Sequence, residues 1–241
     1  MNNIIHAGGD INGKHYSNSY ESIIFNIENF YIENKTYHGI TIEIDIIKIK
    51  DGFVIAHTGY EHIYNYKGSF SDITFEEFNK LKVYNSYTPM NFILLKQILN
   101  QYPYVQFNLD INEKGYYYTQ VLKYIKKIFK NDILITNIVP QIYCYNDFLY
   151  CKKYGFLNCM VGLWKYYDEV YQQSTFDFIN LIQKQDINIT GFSIDYKHSL
   201  IGDFRIIKNM IKSTIYLHNG EDKPSQKIID IYNKNGVYFF I

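Results

Sequence analysis

The sequence predicts an α/β protein with a (β/α)8 TIM-barrel fold, formed by one domain over residues 1–241. Strand-like runs alternate with helix-like runs along the whole chain, eight such strands can be counted, and 241 residues is an ordinary length for this barrel. The glycine-rich phosphate loops typical of open doubly wound sheets are absent from the sequence. The stretch over 60–90 is predicted to be a small insertion beside the second strand.

The predicted strands are short apolar runs, and two of them alternate apolar with polar residues. Because successive side chains of a strand point to opposite faces, Ile42 and Ile44 share one face while Glu43 and Asp45 share the other, roughly 7 Å apart. The run over 105–112 repeats this pattern. The eight predicted strands cover residues 3–7, 40–46, 105–112, 138–142, 158–163, 189–195, 214–218 and 236–241.

The predicted helices are placed by their N-terminal signals and apolar spacing. Serines at 17 and 19 can cap a helix that runs to about residue 35, and Thr74 with Glu77 forms a capping-box pattern before a short helix ending near 81. Pro89 precedes another helical run. The later helices are predicted over residues 92–99, 119–129, 146–154, 175–184, 201–211 and 225–233.

Ionisable residues stand at or near the ends of the first three predicted strands. In a barrel, the carboxyl ends of the strands line the active site, so His6, the Glu43–Asp45 pair and Asp110 are expected to converge. The Asp51–Gly52 turn then returns the chain toward His57. An isolated Glu-Ile-Asp strand would also fit an antiparallel strand with a solvated face. The convergence favours a site in which carboxylates share one divalent cation.

Composition excludes several classes of partner. Lys and Arg number 24 and Asp and Glu number 24, so the chain has no net field to attract nucleic acid or an anionic membrane surface. The three cysteines fit no metal-binding pattern and indicate reduced, buried thiols in the cytoplasm. No signal peptide and no apolar run long enough to span a membrane is seen, so no stable membrane insertion is expected.

Several short motifs occur in a fixed order through the first half of the chain. They are His6-Ala7-Gly8-Gly9, Asn18-Ser19, Ile42-Glu43-Ile44-Asp45, Lys50-Asp51-Gly52 with His57, Thr88-Pro89, and Asn108-Leu109-Asp110-Ile111-Asn112. This ordered set resembles the glycerophosphodiester phosphodiesterase family, which belongs to the phosphatidylinositol-phospholipase-C-like barrel group. The second half of the chain resembles that family more weakly.

The resemblance implies a metal-dependent phosphoric diester hydrolase. One hard divalent ion, Mg²⁺ or Ca²⁺, would be bound by Glu43, Asp45 and Asp110. His6 and His57 would be the acid–base pair, since imidazole titrates near neutrality and can take or give a proton. The family usually releases glycerol 3-phosphate and an alcohol through a cyclic phosphate formed by the substrate's own hydroxyl.

Substrate contacts are expected from five further residues. Asn18 matches the asparagine that follows the first strand in the family and would help to hold the phosphate or the metal. Gln141 and His218 stand at ends of later predicted strands, and Trp164 follows the fifth, where it could stack on a head group or simply pack at the rim. Asn112 lies beside the third proposed metal ligand. His218 is as compatible with a structural role as with substrate binding.

Three positions depart from the family pattern. Ala7 stands where the family commonly has Arg, Asn112 where it commonly has Lys, and Asp110 is one methylene shorter than the usual Glu. The first two changes remove positive charge from the phosphate site, so a catalytically weakened binding module for phosphorylated polyols stays open. A phospholipase acting on intact lipid is a second alternative, and a barrel of unrelated chemistry is a third. Candidates to replace the charge are Lys14, His15 and Arg205.

Overall fold

The computed structural model describes residues 4–36, 38–111, 115–130, 132–163, 175–184, 188–195, 208–211, 213–218 and 226–239. The chain divides into two compact units, one over Ile5–Ile138 and the other formed mainly by Val139–Ile241. The prediction of a single domain over 1–241 stays a prediction.

The first unit is built on parallel strands joined by helices. Strand β1 (Ile4–Ile5) begins the described chain, and helix α1 (Tyr20–Asn34) leads to β2 (Thr41–Ile49). Strand β2 pairs in parallel with β4 (Gln106–Ile111) and antiparallel with the short β3 (Gly52–Ile55). Strand β2 ends three residues later than predicted, because its end forms the hairpin with β3.

The N-terminal signals identified in the sequence form as predicted. Ser19 caps α1 in a reciprocal capping box with Ser22, and Thr74 does the same with Glu77 at the start of α2 (Phe75–Lys80). Asn91 caps α3 (Phe92–Gln101) by accepting two backbone N–H bonds. Helix α4 (Tyr116–Ile128) begins earlier than predicted, just after Gly115, which adopts a positive φ.

The insertion over 60–90 is packed on the β2–β3 hairpin and has its own apolar cluster. This cluster also contains buried residues from both strands of the hairpin and from α2. The cluster stabilises the segment that follows His57, so this segment is a folded part of the first unit. The buried members are Ile47, Ile49, Val54, Ala56, Ile63, Tyr64, Phe70, Ile73, Phe78 and Val83.

The second unit continues the alternation of strand and helix. Its strands are parallel and hydrogen-bonded in chain order, with β6 shifting register between Cys159 and Met160. They are β5 (Ile138–Ile142), β6 (Asn158–Gly162), β7 (Asn188–Asp195), β8 (Ile215–His218) and β9 (Val237–Phe239). The helices of this unit are α5 (Tyr145–Lys153), α6 (Thr175–Ile182) and α7 (Gln226–Lys234).

Eight parallel strands alternating with helices make this a (β/α)8 TIM-barrel fold, as the sequence predicts. Most of the helix predicted over 201–211 lies outside the described residues, although residues 208–210 are helical. Nowhere in the described ranges does a helix combine the length and apolarity needed to cross a membrane.

Candidate active site

Strands β2 and β4 bring three carboxyl groups together on one face. Their parallel register sets Asp45 beside Asp110 and Glu43 beside Asn108. Glu43, Asp45 and Asp110, called the carboxylate cluster below, each offer an oxygen within 4.8 Å of the others. Glu43 and Asp45 are each only 2% exposed. An all-oxygen set of this spacing fits a hard cation such as Mg²⁺ or Ca²⁺.

Burial and mutual repulsion disfavour the charged forms of these carboxyl groups. Burial raises the pKa of Glu43 well above its usual range, and the charges of Asp45 and Asp110 raise it further. Burial raises the pKa of Asp45 to about 6, although His57 opposes the shift. Like charges confined without water are costly, and a bound cation removes that cost.

The loop between β1 and α1 supplies the hydrogen bonds that hold two of these carboxylates. The backbone N–H of Ala7 donates to Glu43 Oε2 at 2.7 Å, and Asn18 Nδ2 donates to Asp45 Oδ2 at 2.9 Å. Ala7 and Asn18 both adopt left-handed backbone conformations, with φ of 47° and 40°. Non-glycine residues rarely do so, and such strain clusters at functional sites. Asn18 therefore positions a proposed metal ligand.

Both predicted catalytic histidines lie against the cluster. His6 Nε2 is 3.8 Å from Glu43 Oε2, and His57 Nε2 is 4.0 Å from Asp45 Oδ1. His57 Nδ1 lies 2.7 Å from the carbonyl oxygen of Thr58. Because a carbonyl only accepts hydrogen bonds, Nδ1 is the donor in this contact, and in the matching tautomer of the imidazole Nε2 is an acceptor.

Tyr16 contacts both histidines and is absent from the sequence prediction. Its ring centroid lies 5.1 Å from that of His6 and 5.4 Å from that of His57, edge-on to each. Tyr60 packs against Tyr16 and His57 at 5.0 and 4.5 Å. A chain with 26 tyrosines gives no signal that selects these two. The two histidines therefore share one aromatic neighbour.

Two buried polar side chains near the cluster have no hydrogen-bond partner within the described part of the chain. Both amide atoms of Asn108 are unpaired although the residue is 0% exposed, and the Tyr64 hydroxyl is also unpaired. Such groups are rare in folded proteins because each unmade bond costs about 1–3 kcal/mol. Neither residue was singled out as functional in the sequence.

The other predicted substrate contacts are only partly described. Gln141 is buried at the end of β5, where Tyr143 Oη donates to its Oε1. His218 is the last residue of β8. Asn112 and Trp164 lie outside the described residues. None of these four roles is tested by the geometry, so they stay predictions.

The candidates for replacing the missing positive charge lie in the loop before α1 or outside the described chain. His15 Nδ1 is 2.7 Å from Asp10 Oδ2, and Lys14 Nζ lies over the ring of Tyr84 at 5.2 Å. Arg205 is outside the described residues. Ala7 lacks the side chain of the family's arginine, but its backbone N–H still binds the carboxylate cluster.

Comparison with known proteins identifies the fold. No protein-family model matches the sequence, and no curated protein matches it either. A Galdieria sulphuraria structure assigned as a glycerophosphodiester phosphodiesterase superposes with a TM-score of 0.74 at 15% identity, covering 100% of this chain and 93% of that one. The fold is that of the glycerophosphodiester phosphodiesterases.

Two more solved structures agree with this fold assignment. The glycerophosphodiester phosphodiesterase of Parabacteroides distasonis gives a TM-score of 0.68 at 14% identity, covering 99% of this chain and 91% of that one. A phosphodiesterase of Oleispira antarctica, solved with the product sn-glycerol-3-phosphate, gives 0.68 at 13% identity, covering 100% and 92%. The similarity of fold thus extends over the whole chain, whereas the motifs lie in its first half.

Proposed function

We propose that this protein is a metal-dependent phosphodiesterase that hydrolyses a glycerophosphodiester, or a related polyol phosphodiester, to glycerol 3-phosphate and an alcohol. The observation that carries this proposal is the approach of each histidine to a different carboxylate of one buried cluster, at 3.8 and 4.0 Å. The shared fold supports the substrate class, and one structural neighbour holds glycerol 3-phosphate.

Glu43, Asp45 and Asp110 are proposed to hold one Mg²⁺ or Ca²⁺ ion, with Asn18 and the Ala7 N–H fixing two of the three ligands. When bound, such a cation neutralises the charge of the phosphodiester and orients it for attack. The cluster's buried carboxylate oxygens fit that ion because they are hard ligands.

His57 is proposed to act first as the general base. The substrate's hydroxyl next to the phosphodiester attacks phosphorus, its proton passes to His57 Nε2, and the bond from phosphorus to the alcohol breaks. His6 gives a proton to the departing alcohol oxygen, which leaves a cyclic phosphate. Water then opens the ring with the roles exchanged: His6 takes the water proton and His57 protonates the ring oxygen. Both histidines end as they began.

An assay of glycerol 3-phosphate release tests this function. Glycerophosphocholine, glycerophosphoethanolamine and glycerophosphoglycerol would each be offered with Mg²⁺, with Ca²⁺, and with a chelator. We expect turnover of at least one substrate that the chelator abolishes and added metal restores. Vesicles of intact phosphatidylinositol form a separate arm, and faster turnover there would favour the phospholipase alternative. Binding of the glycerophosphodiesters without any turnover would favour the binding module.

We also propose that the protein acts in the cytoplasm, in glycerol and lipid metabolism. Its cysteines, Cys144, Cys151 and Cys159, are free thiols, which suits a reducing compartment. Small, water-soluble phosphodiesters are the proposed substrates, and neither nucleic acid nor membrane lipid is proposed as a partner. Localisation of a tagged protein by cell fractionation checks this, and recovery in an oxidising compartment with paired cysteines would contradict it.

A further inference from the structure

Asn108 is a buried amide whose nitrogen and oxygen have no hydrogen-bond partner among the described residues. Its neighbour is Glu43, whose Oε2 accepts one described hydrogen bond, from the Ala7 N–H. Asn108 lies on β4 at the register position of Glu43 on β2. Adjacent strands are about 4.8 Å apart, and residues paired in register project to the same side. Because strand side chains alternate, Asn108 also shares its face with Asp110, two residues further along β4. Asn108 therefore belongs to the face that carries the carboxylate cluster.

The Asn108 amide can supply hydrogen-bond donors to the carboxylates on this face. An ionised carboxylate offers about four acceptor sites, and the Ala7 N–H bonds to Oε2 of Glu43 at 2.7 Å. Asn108 Nδ2 carries two N–H donors that are unused among the described residues, and the residue is 0% exposed. An aspartate at this position would add a fourth negative charge, whereas asparagine adds donors without charge.

We propose that Asn108 is a positioning residue of the metal site: when the cation is bound, Asn108 Nδ2 donates to the Glu43 carboxylate, directly or through one buried water. This inference rests on the proposed metal-dependent function. Groups that hold metal ligands in place typically contribute a factor of about 10–100 to metal affinity. Asn108 would thus hold Glu43 in the orientation that binds the cation, in addition to the Ala7 N–H.

Three variants separate this role from packing. Asn108→Leu keeps the volume but removes every donor, while Asn108→Ser leaves a hydroxyl and room for a water. Asn91→Leu is the matched control, because Asn91 is another buried asparagine, 6% exposed, whose amide bonds to Ile93, Leu94 and Asn79. Each protein would be titrated with Mg²⁺ and with Ca²⁺ by calorimetry, and its metal-free form unfolded in urea.

We expect Asn108→Leu to weaken metal binding by about 10–100-fold without lowering the stability of the metal-free protein, since its amide is unpaired there. Asn108→Ser should bind metal more tightly than Asn108→Leu, an order that packing alone would reverse. Asn91→Leu should lower stability and keep wild-type metal affinity. Wild-type affinity in Asn108→Leu would overturn the role of Asn108. If the wild-type protein binds neither ion, the proposed metal-dependent function fails and this role fails with it.

Discussion

The carboxylate cluster and the insertion over 60–90 differ in where their charged groups lie: those of the cluster are buried together, and Glu76 and Lys80 of the insertion are exposed and paired. In the insertion, Thr74 and Glu77 form reciprocal hydrogen bonds between side chain and backbone at the start of α2. The exposed side chains of Lys80 and Glu76 form an ion pair at 2.6 Å. In the cluster, like charges are buried side by side. Burial raises the pKa of Glu43 and of Asp45 above their usual ranges.

The insertion therefore consists of residues that stabilise the fold, whereas the cluster consists of residues suited to binding a cation. The insertion combines an apolar cluster with satisfied helix caps, which lower the free energy of the folded chain. The carboxylate cluster raises that free energy until a cation binds. Substitutions in the two regions should therefore have opposite effects on stability, and only one region should affect metal binding and turnover.

The largest effect is expected from Asp45→Asn. Loss of one proposed ligand should abolish the metal-induced rise in melting temperature and lower turnover by about 1,000-fold or more, which corresponds to roughly 4 kcal/mol. The metal-free variant should melt at a higher temperature than wild type, because one buried charge is gone. Asp51→Asn is the control, since Asp51 is a nearby carboxylate outside the cluster whose Oδ1 accepts a hydrogen bond from the backbone N–H of Phe75. A wild-type metal response in Asp45→Asn would remove Asp45 from the ligand set.

His57→Ala should lower turnover by about 100- to 10,000-fold while metal binding stays measurable. The reason is that Nε2 of His57 is the proposed proton acceptor, whereas the cation is held by carboxylates. The comparison variant is His38→Ala, because His38 is an exposed residue whose ring lies against that of Tyr104. Turnover and calorimetric metal affinity would be measured for both. Full activity of His57→Ala would refute its assignment as a catalytic residue.

The stability of the metal-free protein should fall as pH rises from about 4 to above 6. The folded state holds the Asp45 proton with a pKa of about 6, whereas an unfolded aspartate has a pKa near 3.9. The folded state thus binds more protons in this window, so raising the pH favours unfolding, by about 1.4 kcal/mol per unit of pKa difference. Urea unfolding at several pH values checks this, and Asp45→Asn should show a shallower slope. Saturating Mg²⁺ should reverse the loss at neutral pH.

Tyr16→Leu should lower turnover by up to about tenfold, since aromatic contacts contribute roughly 0.5–1.5 kcal/mol each. Its ring touches both His6 and His57 and helps to fix their orientation. Metal affinity should not change. Tyr66→Leu serves as the control because Tyr66 stacks on Phe70 within the insertion. Equal turnover losses in the two variants would assign Tyr16 to packing alone.

The smallest effect is expected from Thr74→Ala. Loss of the N-cap of α2 should lower the free energy of unfolding by about 1 kcal/mol. Neither metal affinity nor turnover should change, because α2 contributes to the insertion and not to the cluster. Urea unfolding with a parallel metal titration checks both parts. A change in metal affinity would show that the two regions are coupled.

Sequence reasoning located the parts of this molecule that depend on local pattern. Alternation along β2 and β4 predicted that Glu43, Asp45 and Asp110 lie on one face, and Ser19 and Thr74 predicted two helix starts. These features follow from the period of a strand and from the donors left at a helix end. They could be predicted because each depends on residues close together in the chain.

Features that depend on contacts distant in sequence were not predicted. Tyr16 meets His57 only because the loop before α1 and the loop after β3 approach each other in the fold. The unpaired amide of Asn108 becomes visible only when its neighbours are in place, since nothing in the sequence says that a donor will lack an acceptor. Contacts and unmade hydrogen bonds of this kind cannot be read from the spacing of motifs.

The bond from the Ala7 N–H to Glu43 belongs to the main chain, so it is present whatever side chain stands at position 7. An alanine scan is blind to this contact, because the residue is already alanine and its methyl group takes no part. Proline alone among the standard residues would delete the donor, and its fixed φ near −65° is also incompatible with the 47° of Ala7. A main-chain contact of this kind can persist while the sequence diverges, without any residue being conserved at that position.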